Sequence, residues 1–137
     1  MITAVDTNVL IDLITVDVPH GRDSQAALER AADDGGLVAS PVVVAELIAA
    51  FHSPDRAKDF LDGMGVVVVT PTWEELSVAG GLWHSRRGQG RERILPDFLI
   101  VANAAVAADR LLTRDSGMAR LATTGLAVVT PQELLAS

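Results

Sequence analysis

The stretch ILPDFLIVANAAVAADRLLTRDSG, Ile94–Gly117, decides the fold. It reads as one helix and one strand with an acid at each working end. Pro96 suits a first helical turn, where its missing N–H costs nothing. Asp97 follows in that same turn, where a negative charge meets the positive end of the helix dipole. From Phe98 to Ala108 only Asn103 is polar, so the helix is apolar nearly all round and belongs inside a domain. Asp109-Arg110 reads as a turn, Leu111–Thr113 as a short buried strand, and Asp115 lies just past its carboxyl end. In open α/β sheets ligands bind outside the carboxyl ends of the strands. Two carboxylates of one buried unit are therefore expected to face one crevice.

The rest of the chain fits around this unit. With 137 residues, 49% of them hydrophobic, there is material for one well-buried core, and residues 1–137 read as a single domain. There is no cysteine, which excludes disulfides, thiolate catalysis and sulfur-held zinc, and suits a reducing compartment. The opening MITAVD has no basic segment of the signal-peptide kind, and the run Phe98–Ala108 is too short to span a bilayer. The expectation is a soluble, cytoplasmic protein without membrane contact. A mean hydropathy of +0.31 is high for a small soluble monomer and suggests that a partner covers some apolar surface.

The formal net charge is −7, which by itself speaks against phosphate binding. The distribution speaks for it. His84–Arg93, HSRRGQGRER, carries four of the 11 basic residues and one acid, immediately before Asp97. Arg86, Arg87, Arg91 and Arg93 are candidates to grip phosphates, with Arg114 a further one, since the guanidinium fork matches phosphate oxygens. The plainer reading of this segment is a solvated loop.

Taken in order, strands and helices alternate. Ile2–Val5 is a buried strand, followed by the polar turn Asp6-Thr7-Asn8 and the amphipathic helix Val9–Ile14. Residues 15–23, with Pro19 and Gly21, read as a loop. Ser24–Asp34 is a polar helix closed by Gly35-Gly36, and Leu37–Ala39 a second strand. Ser40 and Pro41 cap and open a helix over Val42–Phe51. Asp55–Asp62 is a short helix ended by Gly63, and Val66–Val69 a third strand. Thr72-Trp73-Glu74-Glu75 is a capping box for a helix running toward Arg86. After the opening unit come a short helix over residues 116–123, the strand Ala127–Val129 and a second capping box, Thr130-Pro131-Gln132-Glu133. Short strands that are apolar on both faces, alternating with helices, predict a parallel sheet covered on both sides.

Four acids stand out. Asp6, at the end of the first strand, reads equally as a helix cap and as a functional group. Glu46 lies in VVVAELIAAF with Val42, Val43, Ala49 and Ala50 as its helical neighbours and no Lys or Arg at i±3 or i±4. Buried there, a carboxylate needs a partner, which points to a ligand role. A helix face turned to water is the bland alternative. Asp97 is equally a dipole-friendly first-turn residue, and Asp115-Ser116-Gly117 an Asx turn. Together, however, all four can reach one edge of one sheet. Clustered carboxylates repel, and a hard divalent cation relieves that. Oxygen-only ligation points to Mg²⁺ or Mn²⁺ rather than zinc. His20, His52 and His84 have no zinc-type spacing and read as surface residues.

The run AVDTNVLID with Asp6, the apolar helix carrying Glu46, the PDFLIVANA helix with Asp97 and the LLTRD strand end with Asp115 together resemble the PIN-domain ribonucleases. The small size and the Arg-rich approach to Asp97 resemble most the VapC-type toxins of bacterial toxin–antitoxin pairs. The resemblance spans essentially the whole chain. It implies a three-layer α/β/α fold with a central five-stranded parallel sheet, and Asp6, Glu46, Asp97 and Asp115 as metal-binding catalytic acids. It implies that Thr113 is the small hydroxyl residue beside the last acid and Asn8 the polar residue after the first, both toward substrate. Some members carry a further acid two places beyond the last; here that place is Gly117, which bears on whether one ion or two are held.

The activity so implied is Mg²⁺-dependent endoribonucleolytic cleavage by activated water, with no side-chain nucleophile. The partners so implied are RNA, a cognate antitoxin and a second copy in a homodimer. A response-regulator receiver would need a Lys after a late strand, but the one lysine, Lys58, lies in a predicted helix. A haloacid-dehalogenase phosphatase would need a second Asp where Asn8 stands. The alternative that survives is a non-catalytic interaction module of PIN type.

Overall fold

The computed structural model describes residues 1–16, 18–86, 93–122 and 125–137. Its core is built on strand β1 (Thr3–Val5), buried throughout, with β4 (Arg110–Leu112) on one side and β2 (Leu37–Ala39) on the other. Beyond these lie β3 (Val66–Val68) and β5 (Ala127–Val129), so the five strands run β3-β2-β1-β4-β5, all parallel. Val5 pairs with Leu112, which aligns the carboxyl ends of the two central strands. The chain builds outward from β1 through β2 to β3, then returns to add β4 and β5. The order therefore reverses between β1 and β4, the place where such sheets bind ligands.

The connections are helical. Helices α1 (Thr7–Ile14) and α2 (Gly21–Asp34) link β1 to β2, and α3 (Pro41–Phe51) and α4 (Pro54–Met64) link β2 to β3. Right-handed crossovers place these four on one face. Helices α5 (Trp73–Arg86) and α6 (Leu95–Ala107) lead back across the other face to β4, and α7 (Pro131–Ala136) follows β5 and packs on α2. The result is the expected three-layer α/β/α arrangement. Helix α6 lies against β1 and β4 and buries Phe98, Ile100, Val101, Ala102, Asn103 and Ala104, as its apolar sequence requires. No described helix is long and apolar enough to cross a membrane.

Boundaries differ from the sequence reading where local cues compete. Gly21, Arg22 and Asp23, read as loop, form the first turn of α2. Gly63 lies inside α4, and the helix stops at Gly65, whose φ of 72° supplies the left-handed cap. Arg110, read as part of a turn, belongs to β4; its guanidinium is tied to Thr3 Oγ1 and to Asp34. The helix after Asp115 is a 3₁₀ segment over Ser116–Arg120. The sheet is not fully covered: Val67 and Val68 of the edge strand β3 are exposed, because the crossover from β3 leads away toward β4.

The two capping boxes also part company. In Thr130–Glu133 both arms close, with Thr130 N donating to Glu133 Oε2 at 2.9 Å and Glu133 N donating to Thr130 Oγ1 at 3.2 Å. At Thr72 only one arm forms, from Glu75 N to Thr72 Oγ1. The Glu75 side chain turns inward instead, is 2% exposed, and accepts from Asn103 Nδ2 at 3.1 Å. The buried polar residue of α6 thus partners the buried acid of α5.

Burial raises the Glu75 pKa above its ordinary 4.5, against the opposing bond from Asn103. Folding therefore favours protonated Glu75, and the cost of ionising it grows as pH rises through the raised value. Glu75→Gln keeps an oxygen for Asn103 and removes the charge. The variant is expected to melt above wild type at neutral pH, with the gap closing as pH falls to about the unfolded value. Melting curves across pH check this; a gap independent of pH would contradict it.

Candidate metal centre

The site begins where β1 ends. Asp6 has extended backbone angles and caps α1, its Oδ1 accepting from Thr7 N at 2.7 Å. Its second oxygen accepts from Thr113 Oγ1 at 2.6 Å and from Asn8 Nδ2 at 3.3 Å. Capping α1 is thus what points the Asp6 carboxylate at the end of β4. Asp6 is buried, and that burial raises its pKa. The bonds from Thr113 and Thr7 oppose the rise, while the charges of Glu46 and Asp97 add to it.

Thr113 joins the two strand ends. Its buried hydroxyl donates to Asp6 and accepts from Asn8 Nδ2 at 3.2 Å and from Asp115 N at 3.0 Å. Asn8 completes the link, its Oδ1 accepting from Arg114 N at 3.0 Å. Thr113 and Asn8 therefore hold the backbone that carries Asp115. Asp115 in turn caps the 3₁₀ segment, with Gly117 N donating to its Oδ1 at 2.9 Å.

Asp97 sits in the first turn of α6, half-buried. Arg93, one turn earlier in sequence, has its Nη1 3.7 Å from Asp97 Oδ2. The same guanidinium grips Asp115 with both terminal nitrogens, at 2.5 Å to Oδ2 and 3.2 Å to Oδ1. Arg93 holds the Asp115 pKa below the usual carboxylate range.

Glu46 corrects an expectation. It is not buried: Ala45, Glu46, Ala49 and Ala50 all face outward, while Val43 and Leu47 make the buried seam of α3. Alanine costs little to expose, so an apolar sequence does not mean an enclosed helix. Glu46 is nevertheless directed at the site, because its Oε1 accepts from Thr7 Oγ1 at 2.7 Å, one residue from Asp6.

The arginines divide. Arg86 ends α5, half-buried. Arg87 and Arg91 lie outside the described residues. Arg93 faces the acids rather than solvent. Arg114 is committed elsewhere: its Nε donates at 2.6 Å to Asp12, a buried carboxylate that also accepts from Ser24 Oγ. That pair pins the start of the loop carrying Asp115 onto α1 and α2, so Arg114 anchors the fold. Sequence reasoning missed Asp12 and Thr7. Asp12 did carry a signal, as the one acid inside VLIDLI. Thr7 carried none beyond its place beside Asp6. The three histidines are exposed, as expected.

Among the described residues no three acids or histidines converge closely enough to hold a metal ion as they stand. The donor set nonetheless suits a hard cation: carboxylate oxygens from Asp6, Asp97 and Asp115, with Glu46 alongside. A cationic group already bridges two of them, in the form of the Arg93 guanidinium.

Several solved structures share this fold. A chain of the VapBC2 complex of Rickettsia felis, bound to a promoter DNA fragment, is similar over 95% of this chain and 98% of its own, with 20% identity and a TM-score of 0.75. A chain of VapBC-1 from nontypeable Haemophilus influenzae is similar over 96% and 99%, at 23% identity and a TM-score of 0.73. A chain of a Klebsiella pneumoniae toxin–antitoxin complex is similar over 94% and 97%, at 24% identity and a TM-score of 0.69. At these identities the likeness is one of fold. No curated protein matches the sequence. The model of the PIN domain family matches residues 3–123, a span that takes in all four acids and every strand but β5. The chain belongs to the PIN-domain family.

Proposed function

We propose that this protein is a divalent-metal-dependent endoribonuclease, using Mg²⁺ or Mn²⁺, and acts as the toxin of a toxin–antitoxin pair. The observation that carries the reading is the join at the end of β1 and β4. There Thr113 and Asn8 tie Asp6 to the backbone of Asp115, and Arg93 ties Asp115 toward Asp97. Asp6, Glu46, Asp97 and Asp115 are the proposed metal-binding catalytic acids. PIN-family nucleases generally use divalent metals, and such an ion, when bound, activates water and offsets charge on the phosphodiester.

The chain's own residues supply the rest. Thr113 and Asn8 fix the direction of the Asp6 carboxylate. Thr7 does the same for Glu46. Asp12 and Arg114 hold the loop of Asp115 in place. Arg86, Arg87, Arg91 and Arg93 bind flanking phosphates of RNA, with Arg93 free to do so only once it leaves Asp115. The solved VapBC structures support an antitoxin partner by fold. The exposed Val67 and Val68 on the open sheet edge offer an apolar surface for one, and exposed Trp73, Leu76 and Trp83 on α5 a surface for a second copy. A cytoplasmic setting suits the RNA substrate.

A second reading, a non-catalytic PIN module, draws on Arg93: a salt-bridged Asp115 resembles a site whose charges are settled internally. Cleavage distinguishes them. Attack by activated water is expected to leave 5′-phosphate and 3′-hydroxyl ends and to stop with EDTA; 2′,3′-cyclic ends, or full activity in EDTA, would contradict the proposal.

Asp97→Asn separates a metal ligand from a first-turn decoration. Activity is expected to fall to background, and Mg²⁺ is expected to raise the melting temperature of wild type more than that of the variant. An active variant with the same Mg²⁺ response would remove Asp97 from the site.

The basic segment has its own test. Arg91→Ala with Arg93→Ala is expected to weaken RNA binding and to flatten its log–log salt dependence, by about 0.7 for each single-strand phosphate that is no longer neutralised. An unchanged slope would return the segment to a solvated loop.

A further inference from the structure

Arg93 has a role that phosphate binding does not account for. Its guanidinium makes a two-pronged contact with Asp115, approaches Asp97, and has Nη1 3.6 Å from Met118 Sδ. The side chain is only 21% exposed. The space it fills exists because residue 117 is glycine. A Cβ built on Gly117 would overlap Arg93 Nη2, and would also press on Asp115 Oδ1 at 3.0 Å and on Arg120 Nη2 at 3.2 Å. No positive φ requires glycine at this position. The glycine is needed for room, and what takes the room is the arginine.

We propose that Arg93 is a built-in counter-cation of the acid site, seated in the space left by Gly117, and that a divalent ion enters only as this guanidinium leaves Asp115 and Asp97. The inference rests on the metal-binding reading above and adds a competitor to it. A guanidinium and a divalent ion both need the outward lone pairs of Asp115, and those Arg93 now uses on both oxygens. Two positive groups in the same space also repel. In the metal-free chain Arg93 offsets repulsion among the acids, so it stabilises that form and weakens apparent metal affinity by the same free energy. A partly exposed ion pair is worth up to about 1 kcal/mol, or about fivefold in affinity.

Two variants reach the latch by different routes. Arg93→Gln deletes the charge. Gly117→Ala keeps every charge and evicts the guanidinium sterically, and the evicted group is the far end of a flexible side chain. The test is Mn²⁺ titration by calorimetry of the full chain, with melting in EDTA alongside. The expected result is Mn²⁺ binding about fivefold tighter in both variants, with both melting below wild type in EDTA. The double variant should bind no tighter than Arg93→Gln. Tightening in Arg93→Gln alone would be a bulk charge effect and would overturn the proposal, as would tightening in Gly117→Ala alone. Equal Mn²⁺ affinity in wild type and both variants would overturn the latch and leave the metal reading standing. No Mn²⁺ binding by any form would overturn both.

Discussion

The structure depends on one buried carboxylate. Asp6 must leave water to cap α1 at the end of the central strand, and an unpartnered carboxylate there would cost several kcal/mol. Two of its partners, Thr7 N and Asn8 Nδ2, are local, but the shortest bond comes from Thr113, 107 residues away, which donates at 2.6 Å. That bond can form only if β4 lies beside β1 in parallel register, with Val5 opposite Leu112. The same hydroxyl accepts from Asp115 N, so satisfying Asp6 also places the next acid. Fold and site share a hydrogen bond, and the strand order that reverses between β1 and β4 opens the crevice beside it.

Gathering acids this way carries an electrostatic cost. Asp6 is raised by burial and, in smaller measure, by Glu46 and Asp97, while Asp115 is lowered by Arg93. The carboxylates thus differ in environment. Asp6 lies inside a hydrogen-bonded shell; Asp115 is paired with a long, flexible side chain; Glu46 stays at the surface and accepts from the Thr7 hydroxyl. Part of the charge gathered here is balanced by the Arg93 guanidinium, which pairs with Asp115 and approaches Asp97. Peripheral pairs of the Arg114–Asp12 kind fix the loop without touching that balance.

Much of this is legible in the sequence, and the exceptions have physical causes. Alternating short apolar runs and capped helices point to the parallel sheet and its layers, because β1, β4 and α6 are largely buried and their sequences say so. The placement of Asp6, Asp97 and Asp115 is legible because each follows a strand end or opens a helix. Glu46 stands out for the wrong reason: apolar neighbours suggest burial, but small alanines face water on α3. What stays hidden are pairings distant in sequence. Glu75 looks like half of a capping box and instead turns inward to Asn103, 28 residues on. Arg114 looks like a free cation and is held by Asp12, 102 residues back. Arg93 looks like part of a solvated basic loop, and its fit against Gly117 depends on packing that no spacing rule encodes.

We propose that the carboxylates beside the β1–β4 junction form a divalent-cation site where Arg93 now lies. Diffraction from crystals soaked in Mn²⁺, with anomalous scattering used to locate the ion, addresses it directly. The expected result is an ion ligated by Asp6, Asp97 and Asp115, with Glu46 alongside and Arg93 displaced from Asp115. An ion bound elsewhere, or one bound at the junction with the Arg93–Asp115 pair intact, would contradict it.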